Sequence, residues 1–270
     1  MGWKRLVRFI PRGEVDQVLI GEPVMYHWNI GNAVREGEVV EVCVLSGTPV
    51  LDPGELNGTI EIVGRLLSPV SAEEVGTIRG IGLNYASHAK EANSKVPDAP
   101  MLFMYATQPW RTLIIIPMHT LKDDSADYGA DLAIVIKKTC KNVSESEALG
   151  YVLGYTATND VSSRVVQMAQ SQACYFKGAF TIRGLKIGLV VQNSSLSETV
   201  FNCAELANFL LRGTTLPAGT ESSAYLHDGD KFVVEIWPHV GSLYLLSIRD
   251  REIAVFSMHV NLHRITEASE

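Results

Sequence analysis

The sequence predicts a β-dominated α+β fold with one large, curled sheet. Two features carry that expectation. Short β-branched apolar runs recur from the first residues to the last third of the chain, and the helical stretches between them are few and short. Gly- and Pro-containing turns separate the runs.

At 270 residues and 46% hydrophobic content, the chain can bury a sizeable core, as one large domain or as a small and a large one. In residues 1–70, "RLVRFI", "QVLIGEPV" and "EVVEVCVL" read as strands of a small N-terminal β-rich domain. "LLSPVSAEEVGTI" then supplies a Pro-containing polar linker, and residues 71–270 make the larger domain. There "DLAIVIKK" reads as a strand, while "SESEALGYVLG" has the Ser cap, early glutamates and terminal glycine of a short helix. "GYTATNDVSS" is extended and leads into "RVVQMAQSQ", and "NCAELANFLLRG" is amphipathic with a glycine at its end. The strands "LKIGLVVQN", "DKFVVEIWP" and "GSLYLLSIRD" complete the chain, with a hairpin turn at Asp228-Gly229.

Charge and cysteine usage narrow the setting. A net charge of −7 with no basic cluster argues against a nucleic-acid partner and for a small-molecule substrate. Cys43, Cys140, Cys174 and Cys203 form no CxxC pair, which argues against zinc, iron–sulfur clusters and a disulfide framework. The N-terminus lacks the apolar core of a signal peptide, and no run reaches the roughly 20 apolar residues of a membrane span. A cytoplasmic protein with no membrane partner is expected.

Five stretches can carry chemistry. In "GIGLNYASHAKEAN", His88 and Glu91 stand three residues apart on one helix face, so the carboxylate can orient or polarise the imidazole as a general base. Asp127 and Asp131 precede or open a buried-looking strand, and Asp160, Arg164 and Gln167 fall on a strand-to-helix corner. Acidic residues from separate elements suit a hard cation such as Mg²⁺. Lys177, in "FKGAF", can bind a carboxylate or enolate oxygen. Thr220, in "TTLPAGTES", can hold a substrate carboxylate. From the residues alone, each stretch also has a plain reading, for the His–Glu pair and the turn the commoner one: a surface ion pair, a solvated strand edge, an N-cap at Asp160, a snorkelling lysine and a simple turn.

Taken in order, these pieces resemble the fumarylacetoacetate hydrolase family. "IGLNYASHAKE" is similar to that family's GxNYxxHxxE signature, "APMLFM" to its P-x-LF segment and "DYGADLAIVI" to its DYExELxVVI metal strand. "GYTATNDVSSRVVQ" is similar to GYxxxNDxSxRxxQ, "KGAF" to GKSFD, "LPAGTESS" to TGTPxG and "LHDGDKFVVEIWPHVGSL" to LxxGDxVxxEIxGIGxL. The resemblance implies a mixed β-roll or barrel core, a homodimer and a divalent-metal site for acylpyruvate-like or 2-oxo acid substrates, within a catalytic domain spanning 71–270. It implies C–C hydrolysis, decarboxylation or isomerisation through an enol or enolate. Matched by position, His88 and Glu91 are the catalytic dyad and Lys177 joins them. Asp131 and Asp160 fall at metal-ligand positions for Mg²⁺ or Mn²⁺, and Tyr85, Tyr105, Arg164, Gln167 and Thr220 at substrate-binding ones.

The departures gather at the metal site. Both glutamates of DYExELxVVI are ligands in the family, but here they are Gly129 and Asp131. Glycine offers no side-chain oxygen, and Asp131 is one methylene, about 1.5 Å, shorter. Mg²⁺ takes one or two carboxylates plus water, so the remaining pair is expected to hold an ion with lower affinity. Met104-Tyr105 replaces an expected lysine, Thr181 an aspartate, "RGLKIG" the CPxGP segment and Glu221 a proline. Three readings follow: a family enzyme with a weakened metal site; a metal-independent isomerase, decarboxylase, dehydratase or cyclase of a specialised biosynthetic pathway using His88/Glu91 with Lys177 or Tyr105; and a non-catalytic member.

Overall fold

The structure, a computed structural model, describes residues 3–25, 30–71, 73–105, 126–127, 130–163, 177–181, 192–213, 231–236, 240–241, 245–246 and 257–263. It opens with strands β1 (Arg5–Pro11) and β2 (Leu19–Pro23), helix α1 (Ile30–Arg35), and strands β3 (Glu41–Leu45) and β4 (Leu56–Leu66). The three expected strands are present, and α1 and β4 are additions that the sequence did not announce. β5 (Ile78–Gly82), helix α2 (Ala86–Glu91) and β6 (Met101–Tyr105) come next. β7 (Ala126–Asp127) and β8 (Ala130–Ile136) lead to helix α3 (Glu145–Ala148), which tightens into a 3-10 turn, Leu149–Tyr151, before β9 (Val152–Ser163). β10 (Lys177–Thr181), β11 (Gln192–Ser195), helix α4 (Cys203–Leu211), β12 (Lys231–Ile236), β13 (Val240–Gly241), β14 (Leu245–Leu246) and β15 (Ser257–His263) follow. The Asp228-Gly229 turn and "RVVQMAQSQ" lie outside the described residues.

Every strand pairing among the described residues is antiparallel. The main sheet runs β10-β9-β14-β1-β2-β3-β4, with β7 and β8 also on β9; β11-β15-β12-β13 forms a second sheet and β5-β6 a separate pair. The alternation of β1 explains why it sits centrally. Val7 and Phe9 on one face join Ile30 and Ala33 of α1 with Val42 and Val63. Leu6 on the other joins Trp3, Ile20, Val70, Val135 and Leu153. A strand buried on both faces needs apolar residues at successive positions, and β1 has them. The second cluster ties the first strands directly to β8 and β9. Leu67, Ser68 and Val70, in the segment read as a linker, are buried within this packing.

A third cluster sets α4 against β8 and β9: Ala207 and Leu211 pack on Ile136, Val152 and Ala148, with Tyr155 beside them. α4 begins with a capping box, in which the Asn202 side chain accepts from the Ala204 and Glu205 amides and Glu205 reaches back to the Asn202 amide. Gly213, at φ +71, turns the chain out of it. Among the described residues, no helix is long and apolar enough to cross a membrane.

Candidate active site

The turn from β5 into α2 is built around one strained residue. Leu83 takes φ +54, the left-handed region that a branched side chain enters at a cost of about 1–3 kcal/mol. Asn84 locks the turn in place. Its Nδ2 donates to the Phe201 carbonyl at 3.1 Å, its Oδ1 accepts from the Phe201 amide at 2.9 Å, and its own carbonyl accepts from the Val200 amide at 2.7 Å. An isolated bridge between Tyr85 and Thr199 continues the same seam. The chain just before α4 therefore holds the start of α2.

Tyr85 is the N-cap of α2, and the helix follows the spacing read from the sequence. His88 Nδ1 lies 3.7 Å from Glu91 Oε2, with the two side chains 39% and 77% exposed. This is an ion-pair distance, longer than a hydrogen bond. Ala89 is fully buried and seats the helix, so the neighbouring His88 stays accessible from solvent. His88 and Glu91 are thus adjacent, and both are open to solvent.

Tyr85 connects this helix to the acidic strand. Burial pushes its phenol well above the usual tyrosine range, and the Asp131 carboxylate and the Cys203 thiol push the same way; a hydrogen bond with the Leu132 backbone opposes them. The phenol stays protonated beside β8, as a donor rather than an anion. Cys203 in turn bonds the Tyr155 side chain, and burial raises both groups.

On β8 and β9 the register brings the acidic positions together. Asp131 pairs with Thr158, and Ala133 with Thr156. Directly opposed residues share a face and alternate positions return to it, so 131, 156, 158 and 160 line one face of the sheet. Asp160 is neither a corner nor an N-cap: β9 runs on to Ser163, and Asp160 pairs with Phe180 of β10. Lys177 opens β10 opposite Ser162, two positions along the same strand. Thr156 and Thr158 are each only 1% exposed, and among the described residues their hydroxyls have no hydrogen-bond partner.

Where β8 and β9 meet at Asp131 the donors on this face are oxygens: the Asp131 carboxylate and the buried Thr158 hydroxyl opposite it, with position 160, an aspartate, next along β9. Such a set fits a hard divalent cation that keeps part of its water, and does not fit zinc, which takes thiolate and imidazole. Among the described residues, no three His, Cys, Asp or Glu side chains gather at one point. Of the other expected site residues, Tyr105 ends β6 opposite Ile78. Arg164, Gln167 and Thr220 lie outside the described residues, as does position 129. Sequence reading overlooked Asn84, Tyr155, Cys203 and Thr158. Asn84 and Tyr155 stand in the quoted GxNYxxHxxE and GYxxxNDxSxRxxQ motifs, and Thr158 has a period-two spacing from Asp160, but the partners of these residues are not written there.

Comparison with known proteins gives a consistent picture. The family profile described as fumarylacetoacetate (FAA) hydrolase C-terminal matches residues 77–187. Caffeoylpyruvate hydrolase of Neonothopanus nambi is 38% identical over 266 residues, spanning 89% of this chain and 92% of that protein. The homoprotocatechuate catabolism bifunctional isomerase/decarboxylase of Escherichia coli is 32% identical over 251 residues, 82% of this chain and 56% of that protein. In three dimensions, 5-carboxymethyl-2-hydroxymuconate delta-isomerase from Mycobacterium smegmatis superposes with a TM-score of 0.64 at 21% identity, covering 89% of this chain and 97% of the other. That last likeness concerns the fold.

Proposed function

The chain belongs to the fumarylacetoacetate hydrolase family of enzymes, and on that premise we propose that it hydrolyses the C–C bond joining the acyl and pyruvyl halves of an acylpyruvate. The observation that carries the reading is the His88–Glu91 pair, at 3.7 Å, on a helix whose N-cap tyrosine meets β8 beside Asp131. The similarity to an acylpyruvate-cleaving relative over most of both chains supports it.

Asp131 and Asp160 are the residues that hold the divalent cation, Mg²⁺ or Mn²⁺, in this proposal; when bound it supplies Lewis-acid stabilisation to a 2-oxo carboxylate. Glu91 orients the His88 imidazole, which takes a proton from water. The water oxygen adds to the acyl carbonyl, and the bond to the methylene carbon breaks. Its electron pair passes into the pyruvate enolate, beside which Lys177 supplies positive charge. His88 returns its proton to the methylene carbon, giving pyruvate and a carboxylic acid that ionises in solvent. The same reading takes the core as a mixed β-roll assembled into a homodimer that works on a small molecule in the cytoplasm.

Purified protein is incubated with acylpyruvates of varied acyl group, with Mg²⁺ or Mn²⁺ and separately with chelator, and pyruvate release is followed. Metal-dependent release that is abolished by His88→Ala is expected. No release with any acylpyruvate sinks the proposal. One observation favours a second reading: Gly129 occupies the position of a family ligand. Metal-independent isomerisation, decarboxylation, dehydration or cyclisation through His88/Glu91 is then the chemistry, and chelator-resistant turnover distinguishes it.

A further inference from the structure

The two buried threonines of β9 differ in what lies across the strand from them. Thr156 faces Ala133, whereas Thr158 faces Asp131. Both hydroxyls lack a hydrogen-bond partner among the described residues. A buried hydroxyl left unbonded is costly, and native proteins keep such groups where a ligand or an ordered water satisfies them. Valine has nearly the same shape, so packing alone gives no reason for an oxygen at 158.

We propose that Thr158 is a positioning residue of the cation site. Its hydroxyl accepts a hydrogen bond from a water of the ion's hydration shell and so compensates for the carboxylate that Gly129 cannot supply. This rests on the reading of Asp131 and Asp160 as cation ligands. The geometry agrees. Opposed side chains on an antiparallel pair stand about 4.5–5.5 Å apart at Cβ, too close to admit another side chain and wide enough for one water between hydroxyl and carboxylate. A hard cation with few protein oxygens retains several waters, and each of those is a strong donor. Position 158 lies between 156 and 160 on the same face and is the one directly opposite Asp131.

The test is Mn²⁺ binding to the purified full chain, read by the electron paramagnetic resonance signal of free Mn²⁺ and requiring no turnover. Thr158→Val weakens Mn²⁺ binding by about 10- to 100-fold, the usual effect of losing a group that supports a metal site from its outer shell. Thr158→Ala gives the same loss with a different side-chain volume, and Thr158→Ser, which keeps the hydroxyl, restores binding. Thr156→Val leaves the affinity unchanged. Without metal, Thr158→Val raises the melting temperature, because it removes an unsatisfied buried hydroxyl. If wild-type protein binds Mn²⁺ and the Thr158 variants bind it equally well, the inference is overturned while the cation reading stands. A fall in apo stability for Thr158→Val also overturns it, since the hydroxyl then serves a structural bond. If wild-type protein binds no Mn²⁺ up to millimolar concentration, the cation reading itself falls and takes this inference with it.

Discussion

Replacing Asn84 by alanine removes both side-chain bonds to Phe201, the 3.1 Å donation to its carbonyl and the 2.9 Å acceptance from its amide, while leaving the backbone bond to Val200. Each neutral bond contributes about 1 kcal/mol net, so the pair is worth about 2 kcal/mol. In a chain of this size that corresponds to a melting temperature lower by about 4–8 °C. The functional effect is larger than the stability effect alone predicts. Leu83 is held at positive φ by this clamp, and releasing it lets the turn relax and α2 shift. A displacement of about 1 Å at the dyad costs up to about 100-fold in kcat. The control is Asn208→Ala on α4, which loses the 2.7 Å bond from Asn208 Nδ2 to the Val143 carbonyl and the two exposed bonds that its Oδ1 accepts from Arg212, far along the chain from His88 and Glu91. It lowers stability comparably and spares kcat at temperatures where the protein is folded. Calorimetry and steady-state pyruvate release on both variants decide the matter. If Asn84→Ala loses less than about 0.5 kcal/mol, or loses kcat no more than Asn208→Ala does, the clamp does not position the dyad.

Two other perturbations follow from the same structure. A Cβ on Gly80 falls 1.8 Å from the Phe103 ring, its buried cross-strand partner, so Gly80→Ala costs about 1–3 kcal/mol by overpacking. In urea melts, Phe103→Leu in the Gly80→Ala background recovers part of the loss, and strict additivity of the two changes refutes the clash. Burial, with Cys203 beside it, raises the Tyr155 phenol, so the folded chain retains a proton that the unfolded chain releases near pH 10, about the ordinary tyrosine value. The contribution is full below that pH and is lost as pH rises above it. Tyr155→Phe therefore flattens the alkaline fall in urea midpoint, and an unchanged slope contradicts the assignment.

Much of this architecture was legible where the signal is local. The alternation of "DLAIVIKK", the capped amphipathic pattern of "NCAELANFLLRG" and the three-residue spacing of His88 and Glu91 all depend on neighbours in sequence. α1 was missed because it is six residues long with a glycine in its first turn, and β4 because its first half is exposed on both faces. Asp160 reads as a cap because an Asn-Asp pair shortly before a helical pattern is cap chemistry. Pairing with β10 on one side of β9 overrides that preference and extends the strand. What gives Asn84 and Thr158 their importance, a backbone clasp far along the chain and the identity of a cross-strand partner, is written in no local pattern. The expectations of substrate contact at Arg164, Gln167 and Thr220 rest on their motif positions alone.

The clasp between Asn84 and Phe201 also sets a timetable. Its partners are 117 residues apart. A ribosome adding about 5–20 residues per second takes roughly 6–23 s to deliver the second after the first. Throughout that interval the β5–β6 pair can close on its own, since its strands are near in sequence, but Leu83 has nothing to hold it in its strained conformation. The turn that leads into α2 is therefore clasped only after most of the polypeptide has been made. A nascent chain stalled before Phe201 carries every residue of the "GIGLNYASHAKEAN" motif without the clasp that fixes its turn.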